Sequence, residues 1–299
     1  MKVLSLFDGI SCGMVALRRL GIDVEKYVAY EIDENAIYIS KHNYPGIEHK
    51  GDVFKAVYQE GEFDLLIGGS PCTYWSIAGA RSNGHREVIS SGLGWDLFSQ
   101  YVRALNEAKP RYFLYENNES MSDGIKSEIT KHLGVEPIMI DSADYSAQHR
   151  KRYYWTNIPV DLTEHIPSSK VIKDIIYDNT YKVKTFDKYK DTMKISNDGK
   201  AVKWDSSGKG YYSQQNRARS PEIKMNTLPT WCDVNNIWLG GTFYRQIHPV
   251  EAERLQTLPD NYTDCLKSDA LRIKAVGNGW TVDVIVNLLK GLTVKENKC

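Results

Sequence analysis

Gly68-Gly69-Ser70-Pro71-Cys72-Thr73-Tyr74-Trp75-Ser76 places a cysteine in a glycine- and proline-containing turn directly after the apolar run Asp64–Gly68. Most cysteines are inert small hydrophobes. Cys72 stands outside any apolar run, where a thiolate nucleophile is chemically open to it. Tyr115-Glu116-Asn117-Asn118 closes a second apolar run. Glu116 reads either as a helix cap or, paired with Cys72, as a proton donor. Phe7-Asp8-Gly9-Ile10-Ser11-Cys12-Gly13 sets two glycines between an apolar run and a helical pattern. Such a turn lets a ligand approach the backbone, although a plain strand-to-helix turn explains it equally well. Its spacing is not GxGxxG, so a dinucleotide pyrophosphate is not its natural guest and a nicotinamide dehydrogenase is set aside. Glu31 and Asp33 end the next run; a carboxylate there can take both hydroxyls of a ribose, or cap the helix that begins near Asn35. Asp52, in Gly51-Asp52-Val53, suits an adenine amino group. Neither Phe7–Gly13 nor Glu31–Asp33 includes a Lys or Arg, so the three loops together suit a nucleoside without phosphate.

These residues need a scaffold, and the first 160 positions supply one. Strand-like runs Val3–Phe7, Tyr27–Tyr30, Asp64–Gly68, Tyr112–Tyr115, Pro137–Ile140 and Arg152–Ile158 alternate with helical patterns. The helical patterns cover Met14–Leu20, Asn35–His42, Leu97–Glu107 and Ser120–Leu133. This order predicts an α/β fold with a mostly parallel sheet covered on both faces. Ligands of such sheets bind beyond the carboxyl ends of the strands, where each of the motifs above falls. From about Pro159 to Tyr244 the alternation is lost, with short candidate strands such as Ala201–Trp204. Thr180–Lys224 holds eleven Lys or Arg against five Asp or Glu, interleaved with Tyr181, Phe186, Tyr189, Trp204, Tyr211 and Tyr212. Helical patterns return at Val250–Thr257 and Thr281–Gly291.

The 299 residues carry 38 basic and 38 acidic side chains and are 41% hydrophobic, which excludes a mostly disordered chain and a wholly basic DNA-coating protein. A zero sum still permits a basic face, and Thr180–Lys224 is one. No apolar run reaches the roughly 18–20 residues that span a bilayer, and the first residues lack a secretory cleavage pattern, so a cytoplasmic protein is expected. The five cysteines, Cys12, Cys72, Cys232, Cys265 and Cys299, form no CxxC pair; neither a metal site nor a disulfide framework is expected.

Taken in order, FDGISCG, Glu31, Gly51-Asp52, GGSPC, Glu116-Asn117 and Gln148-His149-Arg150-Lys151-Arg152 resemble the cytosine-5 DNA methyltransferase family. Arg254-Leu255-Gln256-Thr257-Leu258-Pro259 and Ala275-Val276-Gly277-Asn278-Gly279-Trp280 continue the resemblance, which covers about 1–158 and 244–291. It implies a Rossmann-like S-adenosylmethionine-dependent methyltransferase fold with a smaller second domain. The catalytic domain would be 1–159 with 245–299, and 160–244 would recognise the target. It further implies transfer of a methyl group from S-adenosylmethionine to carbon 5 of a cytosine flipped out of duplex DNA. Cys72 would be the nucleophile, Glu116 would hold a proton at ring nitrogen 3, and Arg150 and Arg152 would hold the base carbonyl and a nearby phosphate.

For the cofactor, the resemblance implies that Phe7, with Asp8 in the same loop, packs on the adenine and that Gly9 and Gly13 admit the methionine part. Glu31 would take the ribose, Asp52 the adenine amino group, and Ile32 and Val53 would sandwich the ring. Pro71 would lie near the sulfonium, Leu97 would line the pocket, and Asn278 would reach the methionine end. Thr73–Gly94, with Ser76, Arg81, His85 and Arg86, would close over DNA. Asn117 and Gln148 would serve the substrate side, Gln148 by anchoring its loop. Gln215, Arg217 and Arg219 are candidates to read bases, and Thr227 opens a threonine–leucine element.

Thr73 and Trp75 depart from the family's PCQ-x-F-S, Asn118 stands where valine is usual, and Gly279-Trp280 replaces a commoner serine–valine pair. The resemblance is to bacterial or phage enzymes, expected to act as monomers; whether a separate cognate restriction endonuclease exists stays open. A tRNA cytosine methyltransferase of the same fold is the alternative, against which the long basic middle weighs. A silent DNA-binding relative would have lost Cys72 or Glu116, and both are present.

Overall fold

Lys2–Leu6 (β1) pairs in parallel with Lys26–Tyr30 (β2) on one side and Leu65–Gly68 (β4) on the other. Central strands of this kind are covered on both faces, which is why they read as near-continuous apolar runs. Val3, Leu4, Leu6, Leu65, Leu66 and Ile67 are all inaccessible to solvent. Each such side chain contributes about 1.5–3 kcal/mol by leaving water. The computed structural model describes residues 1–76, 86–163, 165–210, 216–228 and 235–293.

The first sheet has seven strands in the order β3-β2-β1-β4-β5-β7-β6. Here β3 is Glu48–His49, β5 Tyr112–Asn118, β6 Ile138–Asp141 and β7 Lys151–Thr156. Strand β7 runs antiparallel to β5, whereas the β1–β2, β1–β4, β2–β3 and β4–β5 pairs are parallel. Helices Cys12–Arg19 (α1), Glu34–Asn43 (α2), Leu93–Ala108 (α3) and Asp123–Leu133 (α4) connect the strands. Their starts are set locally. Asp33 accepts from the N–H groups of Asn35 and Ala36 at α2, and Ser122 from Ile125 at α4. Gly134, at positive φ, ends α4. The expected α/β architecture with a mostly parallel sheet is therefore present, with α3 starting four residues earlier than its pattern indicated.

A second sheet has six strands, β8-β13-β12-β11-β10-β9. These are Val183–Thr185 (β8), Lys194–Ile195 (β9), Ala201–Lys203 (β10), Arg217–Arg219 (β11), Asn236–Gly240 (β12) and Phe243–Gln246 (β13). Most are two or three residues long, too short for an alternating pattern to show. The buried side of this sheet is aromatic: Phe186 stacks on Trp204 at 4.3 Å, and Trp204 lies 4.9 Å from Tyr244. Helices Pro249–Leu255 (α5) and Asp269–Asn278 (α6) follow, then Val282–Leu289 (α7).

Two compact units result. One holds Met1–Ile140 and the stretches from Lys151 and from Val284; the other holds Asp141–Arg150 and His165–Asp283. These boundaries differ from the sequence division at 159 and 245, because buried bonds tie α5 and α6 into the second unit. Chief among them is a two-pronged pair in which Arg245 Nη1 and Nη2 each lie 2.8 Å from a Glu251 oxygen. Glu251 also accepts from the N–H groups of Tyr177 and His248, and both members of the pair are fully buried. Removing one partner of a buried pair strands the other charge. Arg245→Met is therefore expected to destabilise the protein by about 3–5 kcal/mol in urea unfolding. A loss under about 1 kcal/mol would contradict this account of the pair. Among the described residues, no helix is long and apolar enough to cross a membrane.

Candidate active site

Strand β4 ends at Gly68, and the chain turns through Ser70 and Pro71 into a short 3-10 turn, Cys72–Tyr74. Cys72 is partly exposed, and its carbonyl accepts the N–H groups of Trp75 and Ser76 at 3.1 and 2.9 Å. Gly68 pairs with Tyr115 on β5, so Glu116, Asn117 and Asn118 extend β5 beyond that register. Asn117 is buried. Its Nδ2 donates to Ser70 O at 3.1 Å and lies 3.3 Å from Ser70 Oγ, while its Oδ1 accepts from the Asn118 N–H at 2.8 Å. The amide that the resemblance assigned to substrate is engaged inside the fold, holding the cysteine loop to β5.

Glu116 and Arg152 face each other diagonally across β5 and β7, where Asn118 pairs with Arg152 and Glu116 with Tyr154. Arg152 Nε lies 2.8 Å from Glu116 Oε1, and both side chains are nearly covered. A charge-assisted bond of this length fixes the carboxylate's orientation. The first unit therefore groups Cys72, Glu116, Asn117 and Arg152 at the ends of β4, β5 and β7.

The loops after β1, β2 and β3 carry the residues that the sequence suggested for a nucleoside. Gly9 has φ +58 and open space where a Cβ would stand. Its N–H donates to Glu31 Oε2 at 2.8 Å, while Glu31 Oε1 accepts from Ile32 and Asp33. This holds the Glu31 carboxylate against the glycine loop. Phe7 has positive φ and packs beside the core. Ile32 is 73% exposed, an apolar side chain standing open at the end of β2. Asp52 caps the turn Val53–Lys55 through one oxygen, and Val53 is buried in the core. Pro71 is exposed, and Leu97 packs from α3 against the core.

Two residues of the first loop have structural reasons that the sequence did not reveal. A Cβ on Gly13 would lie 2.3 Å from Ile67 Cδ1, so glycine lets α1 sit close on β4. Asp8 accepts from Ser5 Oγ at 2.6 Å, Ser11 Oγ at 2.5 Å and Tyr27 Oη at 2.7 Å. Burial pushes its carboxyl from 3.8 up to about 6, against these hydrogen bonds. The folded state thus holds this proton more tightly than the unfolded one. The associated stability is present at low pH and is lost as pH rises through this window to about 6. Wild type is expected to lose stability relative to Asp8→Asn between about pH 4 and about pH 7 in thermal unfolding. A difference that does not change with pH would contradict this.

Downstream of Cys72, Trp75 is fully buried and its indole N–H donates to Glu87 at 3.1 Å. A Cβ on Gly92 or Gly94 would collide with the Glu87 carboxylate at 2.4 or 2.6 Å. These glycines therefore serve packing, where the sequence suggested a pliable loop. Arg86 donates to the carbonyls of Trp75 and Ser120, so its charge is engaged internally. Ser76 is buried; Arg81 and His85 lie outside the described residues.

In the second unit, three distant segments converge on Gln256. Gln148 Nε2 donates to Gln256 Oε1 and Leu255 O, each at 2.8 Å. Gln256 Nε2 donates to Val276 O and Gly279 O, and Thr281 Oγ1 donates to Gln256 Oε1 at 2.7 Å. Gln148 Oε1 also accepts the Leu228 N–H at 3.1 Å. Arg150 is buried, with its guanidinium 3.3 and 3.1 Å from the carbonyls of Gly277 and Gly279 at the C-terminal end of α6. Cations favour that end of a helix. Asn278 is exposed at the same end. Thr227 Oγ1 donates to His149 O at 2.7 Å. Arg217 is exposed on β11, whereas Arg219 donates to Lys224 O; Gln215 lies outside the described residues. Among the described residues, no cluster of His, Cys, Asp and Glu is arranged to hold a metal ion.

The comparisons fall on this architecture. The chain is 34% identical over 180 residues to an orphan methyltransferase, M.Rho11sI, of Bacillus phage rho11s, a match covering 55% of the chain but 34% of that relative's length. It is 27% identical to the type II methyltransferase M.FnuDI of Fusobacterium nucleatum, over 97% of the chain and 93% of the relative. The crystal structure of the S. pombe Dnmt2 methyltransferase superposes with a TM-score of 0.66 at 15% identity, covering 98% of this chain and 99% of that one and showing a shared fold. The profile of the C-5 cytosine-specific DNA methylase family matches residues 1–293, and with Cys72 and Glu116 at its strand ends the chain belongs to that family.

Proposed function

We propose that the protein methylates carbon 5 of cytosine in a specific duplex DNA site, with S-adenosylmethionine as donor. One observation carries this reading. Glu116, paired with Arg152 of β7, and Asn117 stand together at the end of β5, and Asn117 is bonded to Ser70, two residues before the partly exposed Cys72. Such an arrangement supplies a nucleophile, a carboxylate for the ring and a fixed loop between them.

The loops fit the donor by their chemistry. Gly9 leaves open space, Glu31 is fixed beside it, Ile32 stands exposed, and Asp52 caps through only one of its oxygens. Glu31 would take the ribose, Asp52 the adenine amino group, and Phe7 with Ile32 the faces of the ring. Pro71 and Leu97 would line the same ligand. When bound, S-adenosylmethionine supplies an electrophilic methyl group.

The protein's own residues do the rest. The Cys72 thiolate adds to carbon 6 of the flipped cytosine, forming a carbon–sulfur bond and pushing the ring electrons toward carbon 5. Glu116 holds a proton at ring nitrogen 3, which draws electrons from carbon 6. Arg152 orients Glu116. After carbon 5 has been methylated, a base takes its proton, and the electron pair of that carbon–hydrogen bond re-forms the ring double bond and expels Cys72 as thiolate. The basic stretch around β8 to β11 would meet DNA phosphates, and Arg217, exposed on β11, would read base edges.

Transfer of labelled methyl from S-adenosylmethionine to duplex DNA, with tRNA as a parallel acceptor, tests this reading. Label in duplex DNA alone is expected. Label in tRNA alone would replace the substrate, and label in neither would refute the activity.

A further inference from the structure

The cysteine loop is held by more than Asn117. Tyr115 is fully buried, and its Oη lies 2.6 Å from Ser70 Oγ and 3.1 Å from Asn117 Nδ2. The amide nitrogen can only donate, so the phenol oxygen accepts from Asn117 and has its own hydrogen to place. The Ser70 and Tyr115 hydroxyls share a hydrogen bond that either of them can donate. Burial pushes the Tyr115 phenol well up, which keeps that hydrogen in place. The ring itself is fixed, packed 4.8 Å from Tyr101, 5.2 Å from Phe98 and 5.8 Å from Trp155. On the other side of β4's end, a Cβ at Gly68 would stand 2.7 Å from Leu6 O and 3.1 Å from the Tyr101 ring. The start of the loop therefore has no room to shift toward the sheet.

We propose that Tyr115 is a positioning residue for Cys72: its hydroxyl locks Ser70 and, through Ser70 and Pro71, sets where the Cys72 sulfur points. This rests on Cys72 being the nucleophile. Glu116 follows Tyr115 directly on β5, so the same tyrosine joins the carboxylate's strand to the thiol's loop. A structural filler would need only the aromatic ring; the positioning role needs the oxygen.

Tyr115→Phe removes that oxygen and keeps the ring. The expected result is a roughly 10- to 100-fold fall in kcat for methyl transfer, the scale set by misplacement of a reacting group. KM for S-adenosylmethionine should stay within about threefold, since the loops after β1 to β3 are untouched. The pH dependence of Cys72 alkylation by iodoacetamide, read by peptide mass spectrometry, should shift, which a packing role would not produce. Ser70→Ala should reproduce both effects, and the double variant should be no worse than either single one. Ser70→Ala also decides the question should Tyr115→Phe fail to fold. Unchanged kcat with an unchanged alkylation profile, or losses that simply multiply in the double variant, would overturn the inference. If the wild type transfers no methyl group, the proposed function fails, and an unshifted alkylation profile would then overturn the positioning role on its own.

Discussion

Cys72→Ser is expected to abolish methyl transfer, with a loss of at least ~10⁴-fold, the order seen when a covalent nucleophile is removed. A serine hydroxyl is far less nucleophilic than a thiolate at neutral pH, so the carbon–sulfur bond that activates carbon 5 does not form. The change adds no bulk to the turn, and Cys72 is already partly exposed. Its contacts with the chain run through its carbonyl to Trp75 and Ser76, which serine keeps. Stability should therefore move by no more than about 0.5 kcal/mol, and S-adenosylmethionine binding, measured by calorimetry, should be unaltered. Activity that survives the change would remove Cys72 from the mechanism. A large loss of stability would instead show that the turn depends on the sulfur.

Glu116→Gln is expected to lower kcat by roughly 10²- to 10⁴-fold, the range for loss of a positioned acid–base group. Glutamine keeps the shape but cannot hand a proton to ring nitrogen 3. Its partner distinguishes chemistry from placement. Arg152→Lys retains a positive charge but loses the planar guanidinium, whose Nε lies 2.8 Å from Glu116. That change should lower kcat less than Glu116→Gln does, and combining the two should add little beyond Glu116→Gln. Single-turnover rates on duplex DNA would measure this. If Glu116→Gln retained full kcat, the carboxylate would be structural only, a cross-strand partner for Arg152.

Much of the site was legible because chemistry at the ends of parallel strands follows the strand pattern. Cys72, Glu116 and Glu31 each follow a short apolar run, and those runs became β4, β5 and β2. Hydrogen-bond knots were not legible, because they join residues far apart in the chain. Tyr115 meets Ser70 across 45 positions, and Gln148 meets Gln256 across 108. Tyr115 reads simply as an apolar strand residue until its hydroxyl is seen to have a partner. Arg150 and Arg152 look alike in the sequence. The alternation of β7 and the turn before it sends them different ways, Arg152 to Glu116 and Arg150 to carbonyls at the end of α6. Gly92 and Gly94 look like loop glycines, and only the position of Glu87 shows that a side chain there would collide. Trp75, a departure from the family pattern, is matched by that same Glu87 accepting its indole N–H. The second sheet stayed hidden for another reason. Its strands are stabilised by pairing with partners up to about 60 positions away, as Thr185 pairs with Phe243, and not by local pattern.

Bisulfite sequencing of plasmid DNA from cells expressing the protein, with Cys72→Ser as the control, reads the methylation itself. Protected cytosines confined to one sequence context are expected in wild type and none in the control. Equal conversion in the two samples, or protection that persists with Cys72→Ser, would contradict cytosine methylation through Cys72.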